Sequence, residues 1–152
     1  MFGFKKKQKD FRPEYDKKLV KQLQKEHLAL FKKVHKIEIA LFKKNVTKTK
    51  LELQQLKNAT LEHFVQEDIK LYWYLKTLYK DDAQTLEKIQ IFEESIKDIQ
   101  VTVIKFFEHY TKKDTALDDT FKEDFNGVVK ALVNRIETEE KNLYPLYKAI
   151  VA

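Results

Sequence analysis

Several ionisable side chains occupy positions at which a helical protein normally places leucine. His63 and Glu67 are four residues apart, so both lie on one face if this segment is a helix. His27 interrupts an apolar series upstream, and Arg135 and Glu139 interrupt another near the end of the sequence. Buried charge is costly unless it is paired or binds a metal. These residues therefore predict an interior site, either a metal site of imidazole and carboxylate groups or a hydrogen-bonded ion network.

Four amphipathic helices are predicted to position these residues. Apolar residues recur at steps of three and four, and two glycines and two prolines are too few for a sheet-rich fold. The expected helices are residues 15–43, a second capped by Thr47 or Thr49 and ending near 80, a third after Asp82 ending near 110, and residues 121–150. The predicted fold class is all-α, an up-down-up-down four-helix bundle in residues 15–152 after a flexible basic tail in residues 1–14.

Three further features of these helices bear on the site or its surroundings. Glu93 is another charge in an apolar series, and in a bundle it could converge with the others on one layer. Pro145 is expected to bend the last helix or end its regular part, because proline lacks an N–H. The second helix has more aromatic residues than one face can hold, which indicates packing on two sides or a partner surface: Phe64, Tyr72, Trp73, Tyr74 and Tyr79.

The composition argues against several function classes. The formal charge of +6 comes almost wholly from lysine, so nucleic-acid binding is not expected. The absence of cysteine excludes disulfides and thiolate sites. No apolar run reaches transmembrane length and no signal peptide is evident, so we expect a cytoplasmic protein. Phe2 and Phe4 beside three lysines leave contact with an anionic membrane open as an alternative to a free tail.

Two runs of sequence resemble the signatures of hemerythrin-like (HHE) domains. The run His63-Phe-Val-Gln-Glu67-Asp-Ile-Lys-Leu-Tyr is similar to their second-helix signature. The run that begins at Arg135 is similar to their last-helix signature, because it contains a Glu-Glu pair followed by Leu-Tyr-Pro. The pair Glu26-His27 resembles their first-helix histidine. The likeness covers nearly all of the sequence after about residue 15.

The resemblance implies a non-haem di-iron site with bridging carboxylates inside the bundle. It implies His27, His63 and Glu67 as ligands, and either Glu139 or Glu140 as the second carboxylate. The implied cofactor is therefore iron, as a pair or as a single metal, and the implied ligand is dioxygen or another small molecule.

Two departures from the family pattern leave the metal in question. Arg135 stands where the family has a histidine, and the third helix has no histidine near its middle, where Glu93 and Glu94 are the nearest substitutes. A guanidinium has no lone pair for a metal and is expected instead to bind a carboxylate in bidentate fashion, that of Glu67, Glu139 or Glu93. One hypothesis is therefore a metal-free ion network. The other keeps one metal, or an altered pair, on the remaining ligands.

A shorter likeness points to a different function. Arg135-Ile, Glu139-Glu140 and Leu143 resemble the last helix of Rsd/AlgQ-type proteins, helical bundles that bind the primary sigma factor. This likeness implies a metal-free regulatory bundle that binds a protein partner.

The expected function is binding or sensing rather than catalysis. No glycine-rich phosphate loop or Ser-His-Asp pattern is present, so the protein is not expected to be an enzyme. The hemerythrin-like resemblance implies a protein of bacterial type that binds or senses iron or dioxygen. The candidate partners are a small ligand at the metal, a sigma factor or other protein, and a second copy of the same protein in a homodimer.

Overall fold

The computed structural model describes residues 14–150, and within them it contains four long helices and no strand. The second helix of the bundle runs on from α2 through a π turn into α3, because the backbone stays right-handed helical at both junctions. The elements are α1 (Leu19–Phe42), α2 (Val46–Gln66), the first π turn (Glu67–Tyr72), α3 (Trp73–Leu78), α4 (Ala83–Tyr110), α5 (Asp119–Thr138), the second π turn (Glu139–Leu143) and a 3-10 turn (Tyr144–Leu146). The predicted all-α four-helix bundle is confirmed.

Two apolar clusters fill the bundle, and the buried charged residues lie between them. The first cluster takes the end of α1, the start of α2, the end of α4 and the start of α5, so sequential helices run antiparallel. It includes Ile37, Leu53, Phe107 and Phe121. The second cluster takes the opposite helix ends and includes Leu23, Leu71, Ile89 and Leu143. A polar layer therefore crosses the bundle between two apolar halves.

Side-chain caps set three of the helix starts. Asn45 accepts the backbone N–H of Lys48 at 3.0 Å at the start of α2, so the predicted cap at Thr47 or Thr49 is wrong. Thr49 lies buried in the first turn instead, where its hydroxyl donates to the carbonyl of Asn45. Asp82 and Asp118 cap α4 and α5 in the same way.

The last helix ends around Pro145, as the sequence predicted, although it stops short of residue 150. The 3-10 turn follows the second π turn, and the backbone is extended at Tyr147. Tyrosines of the second helix hold this end, because Tyr74 donates to the carbonyl of Lys148 at 2.7 Å and Tyr79 to that of Leu146 at 2.8 Å. The aromatic residues thus pack on two sides, while Trp73 stays 46% exposed.

Two sequence predictions concern the N-terminal residues 1–14, of which only Glu14 lies in the described range. They are the flexible basic tail and the membrane contact of Phe2 and Phe4. From residue 14 to residue 150, no helix is both long enough and apolar enough to cross a bilayer.

Candidate metal centre

The polar layer brings together four potential metal ligands from three of the four helices. His27 comes from α1, His63 from α2, and Glu67 and Glu139 each begin a π turn. One nitrogen or oxygen atom from each of these side chains lies within 4.8 Å of the others. All four side chains are buried, with at most 3% of each exposed. This proximity makes the four residues a candidate metal site.

Each histidine is oriented by a carboxylate on its outer side. Glu26 Oε1 lies 2.7 Å from Nδ1 of His63, and Glu140 Oε2 lies 2.8 Å from Nδ1 of His27. A carboxylate on one ring nitrogen fixes the imidazole tautomer and turns the other nitrogen towards the site. The Nε2 atoms of both rings therefore face the centre of the cluster.

The two π turns place a tyrosine hydroxyl on the opposite carboxylate. Tyr72, five residues after Glu67, donates to Glu139 Oε2 at 3.4 Å. Tyr144, five residues after Glu139, donates to Glu67 Oε2 at 3.2 Å and lies 3.2 Å from Nε2 of His27. A π turn closes its hydrogen bonds over five residues instead of four and often occurs at functional sites. The wider turns thus align each glutamate with the tyrosine that follows it.

Arg135 contacts both carboxylates of the cluster. Its Nη2 lies 3.1 Å from Glu67 Oε1, and its Nε lies 3.5 Å from Glu139 Oε1. The guanidinium carbon is 3.9 Å from the centroid of the Phe64 ring, so the charged group also rests on an aromatic face. The expected pairing of Arg135 with carboxylates is seen, but it bridges two of them rather than binding one in bidentate fashion.

The surroundings of the two carboxylates give them opposite ionisation. Burial opposes the charge on Glu67, but the adjacent side chains of His63 and Glu139 and the charge of Arg135 outweigh it and hold the pKa of Glu67 at about 2. Burial, together with the negative charge of Glu67, raises the pKa of Glu139 well above its usual range. Without a metal, Glu67 is therefore ionised, and Glu139 holds its proton to a higher pH than an ordinary glutamate.

The pKa values of the two histidines are shifted in opposite directions. Burial lowers the pKa of His27, and its hydrogen bond with Glu140 offsets this only in part. Burial disfavours the charge on His63 too, but the adjacent Glu67 and Glu26 outweigh it and raise the pKa of His63. A metal at the centre therefore competes with protons more strongly at His63 than at His27.

Unpartnered atoms at the centre of the cluster fit a cation. Nε2 of His63 lies 3.0 Å from Glu67 Oε1 but is not aligned for a hydrogen bond, and it has no other partner among the described residues. In the same part of the structure, Oε1 of Glu139 is also buried without a hydrogen bond, and so are Nε and Nη1 of Arg135. Buried polar atoms are seldom left unpaired. A metal ion bound by His63 and Glu139 would satisfy their two atoms, although not the donors of the guanidinium.

A family model matches this architecture and its motifs. The model of the hemerythrin HHE cation-binding domain matches residues 16–147, most of the sequence. The chain belongs to the hemerythrin HHE family. No curated protein and no solved structure matches it.

The structure places the predicted site residues of this HHE domain in three groups. His27, His63, Glu67 and Glu139 form the inner cluster. Glu140 stands behind His27, and its carboxylate is 37% exposed, so the second inner carboxylate is Glu139. Glu93 is not brought to the cluster. Its two carboxylate oxygens instead accept from the Lys76 ammonium, both at 3.0 Å, near the surface.

Three further residues of the HHE site were not predicted from the sequence as site residues. They are Glu26, Tyr72 and Tyr144, all of which contact an inner side chain. The two tyrosines have a sequence signal, because Glu67 and Tyr72 have the same separation as Glu139 and Tyr144. Glu26 has no such signal in the sequence. It contacts His63 of another helix, whereas the adjacent His27 contacts Glu140.

Proposed function

We propose that this HHE domain binds metal, with iron as the expected metal, and that its role is binding or sensing rather than catalysis. The observation that carries the proposal is the convergence of His27, His63, Glu67 and Glu139, with inward atoms of two of them unpartnered. The family match supports a cation as the ligand of this cluster.

The donor set favours first-row transition metals. Two imidazoles and two carboxylates suit iron, manganese, cobalt or zinc better than calcium or magnesium, which prefer oxygen ligands alone. Iron bound here would supply affinity for dioxygen or a reversible change of redox state. The protein's own contribution is to hold the two rings through Glu26 and Glu140 and to keep bulk water away from a buried site.

A small cavity lies on the outer side of His63, between α1 and α2. Its volume is about 170 Å³. Two of the residues that line it are alanines, whose small side chains leave this space unfilled. The lining residues are Glu26, Ala29, Leu30, Ala59, Glu62 and His63. A cavity of this size admits a few water molecules or a diatomic gas but not a large substrate. The cavity lies on the Glu26 side of the His63 ring, and none of the other three inner residues lines it.

Metal content and metal titration test the proposal. The protein is purified without oxygen, its metals are measured by mass spectrometry, and the metal-free form is titrated with Fe²⁺ and with Co²⁺, whose visible spectrum reports its coordination. We expect stoichiometric binding. His63→Gln should weaken it at least about 100-fold, because removing a ligand costs no less than removing its outer-shell partner. The matched control is His35→Gln, since that histidine is 72% exposed.

A folded protein that takes up neither metal at stoichiometric level would contradict the proposal. That result would favour the alternative function, a metal-free bundle that binds a sigma factor or another protein. One observation favours the alternative, namely that Arg135 already neutralises the buried carboxylates. A pull-down with RNA polymerase subunits tests it directly. The cytoplasmic location and the bacterial type of the protein stay predictions.

A further inference from the structure

We propose that Arg135 acts as a fixed second cation of the metal centre and thereby restricts it to one metal ion. This inference rests on the proposed cation binding and adds its stoichiometry. The charge in question is the guanidinium of Arg135, which contacts the carboxylates that would hold the metal.

Arg135 is buried and has close contacts on more than one side. Its side chain is 1% exposed, and its guanidinium is held by Glu67, by Glu139 and by the ring of Phe64. A guanidinium keeps its charge at any ordinary pH and has no lone pair to offer a metal. It cannot become a ligand, and moving it aside would leave a buried charge without a partner.

The remaining donors are too few for two metal ions. Metal pairs in helical bundles draw carboxylates and histidines from all four helices. Here the inner cluster has four ligands, and among the described residues α4 contributes none. Its buried residues are hydrophobic: Ile89, Ile96, Val103, Phe106, Phe107 and Tyr110. The second oxygens of the two glutamates are also engaged, by Tyr72 and Tyr144.

The charge balance leads to the same result. With both inner carboxylates ionised, Arg135 and one divalent ion leave a single excess positive charge in a buried layer. The outer carboxylates of Glu26 and Glu140 can offset that charge. A second divalent ion would add two more positive charges beside a guanidinium that cannot lose its own, and buried charge of one sign is strongly disfavoured.

Native mass spectrometry and Co²⁺ titration of the unmodified protein give the first test. We expect one metal per chain, with a single break in the titration at one equivalent. Two metals per chain would overturn the role of Arg135 while leaving the proposed function intact. No bound metal would overturn the proposed function itself, and the inference with it.

Replacing the charge gives the second test. Arg135→Gln removes the cation that competes for Glu67 and Glu139, so the affinity for the first Co²⁺ should rise about tenfold or more. Arg135→Lys keeps a positive charge and should keep one metal at close to the original affinity. The matched control is Lys76→Gln, which removes a cation from an ion pair outside the cluster and should not alter the affinity.

These variants also separate charge from packing. If Arg135 serves only to hold α2 and α5 together, then Arg135→Gln will bind Co²⁺ less tightly because its ligands are displaced, and the inference fails. If Arg135→Gln does not fold, the number of metals bound by the unmodified protein and by Arg135→Lys tests the inference instead. Two metals in either of those would overturn it.

Discussion

Replacing Glu67 by glutamine should destabilise the metal-free protein by about 3 kcal/mol. Glu67 is fully buried and contacts Arg135 at 3.1 Å, His63 at 3.0 Å and the hydroxyl of Tyr144 at 3.2 Å. Glutamine preserves the shape of the side chain but removes its charge. The guanidinium of Arg135 and the ring of His63 then lose their closest carboxylate partner, and the carboxyl left beside Arg135 is that of Glu139, at 3.5 Å.

Two routes lead to a similar magnitude. The pKa of Glu67 falls from its ordinary 4.5 to about 2, and each pKa unit corresponds to about 1.4 kcal/mol of stability, which gives roughly 3 kcal/mol. Breaking a buried ion pair by removing one partner typically costs about 3–5 kcal/mol. Because the folded pKa is depressed, this stability is present above pH 4.5 and is lost as the pH falls towards 2.

Urea unfolding in the presence of a chelator measures the effect. The midpoint for Glu67→Gln should fall while the slope stays constant, since the surface exposed on unfolding does not change. The control is Glu93→Gln, whose ion pair with Lys76 lies near the surface and should be worth less than about 1 kcal/mol. The reasoning is refuted if the two variants lose equal stability, or if the difference between them persists undiminished near pH 2.

Three further outcomes are expected. The melting temperature of the metal-free protein should fall as the pH rises above 6.5, because the raised pKa of His63 gives stability that is complete below pH 6.5 and is lost as the pH rises through the folded pKa. Calorimetry with a chelator measures this. Tyr144→Phe should lower the free energy of unfolding in urea by about 2 kcal/mol, since the hydroxyl donates to an ionised carboxylate. Tyr79→Phe loses only a hydrogen bond to a backbone carbonyl and should lower it by about 1 kcal/mol. Metal at 100 times its dissociation constant should stabilise the fold by about 2.7 kcal/mol, and this gain should disappear in His63→Gln.

The apolar periodicity of the sequence predicted the bundle and most of the inner cluster. In helices of similar length joined by short connections, depth along the axis follows from position in the chain. The interior positions of His27, His63, Arg135 and Glu139 were therefore enough to place them in one layer. The prediction for Glu93 was wrong: it lies in the same helical series as the buried Ile89 and Ile96, but its carboxylate pairs with Lys76 near the surface.

The π turns were beyond prediction from the sequence. A periodicity argument assumes a constant 3.6 residues per turn, so it places Tyr72 and Tyr144 slightly off the inward face. Each π turn widens the helix locally and rotates the residues that follow it. Whether such a turn forms depends on the tertiary contacts that it makes possible, which here are hydrogen bonds from each tyrosine hydroxyl to the opposite carboxylate. The local sequence does not show those contacts.

The polar layer between the two apolar clusters has a consequence for the cooperativity of unfolding. Each cluster is a hydrophobic core in its own right, and across the layer the two are joined by ion pairs and hydrogen bonds in place of continuous apolar contact. Parts of a protein can open at different free energies when few interactions couple them. A metal bound by residues of three helices would tie the halves into one unit. Removing it should let amide hydrogens near Leu23 and Leu143 exchange independently of those near Leu53 and Phe107. The pattern of hydrogen exchange would therefore report whether metal is bound.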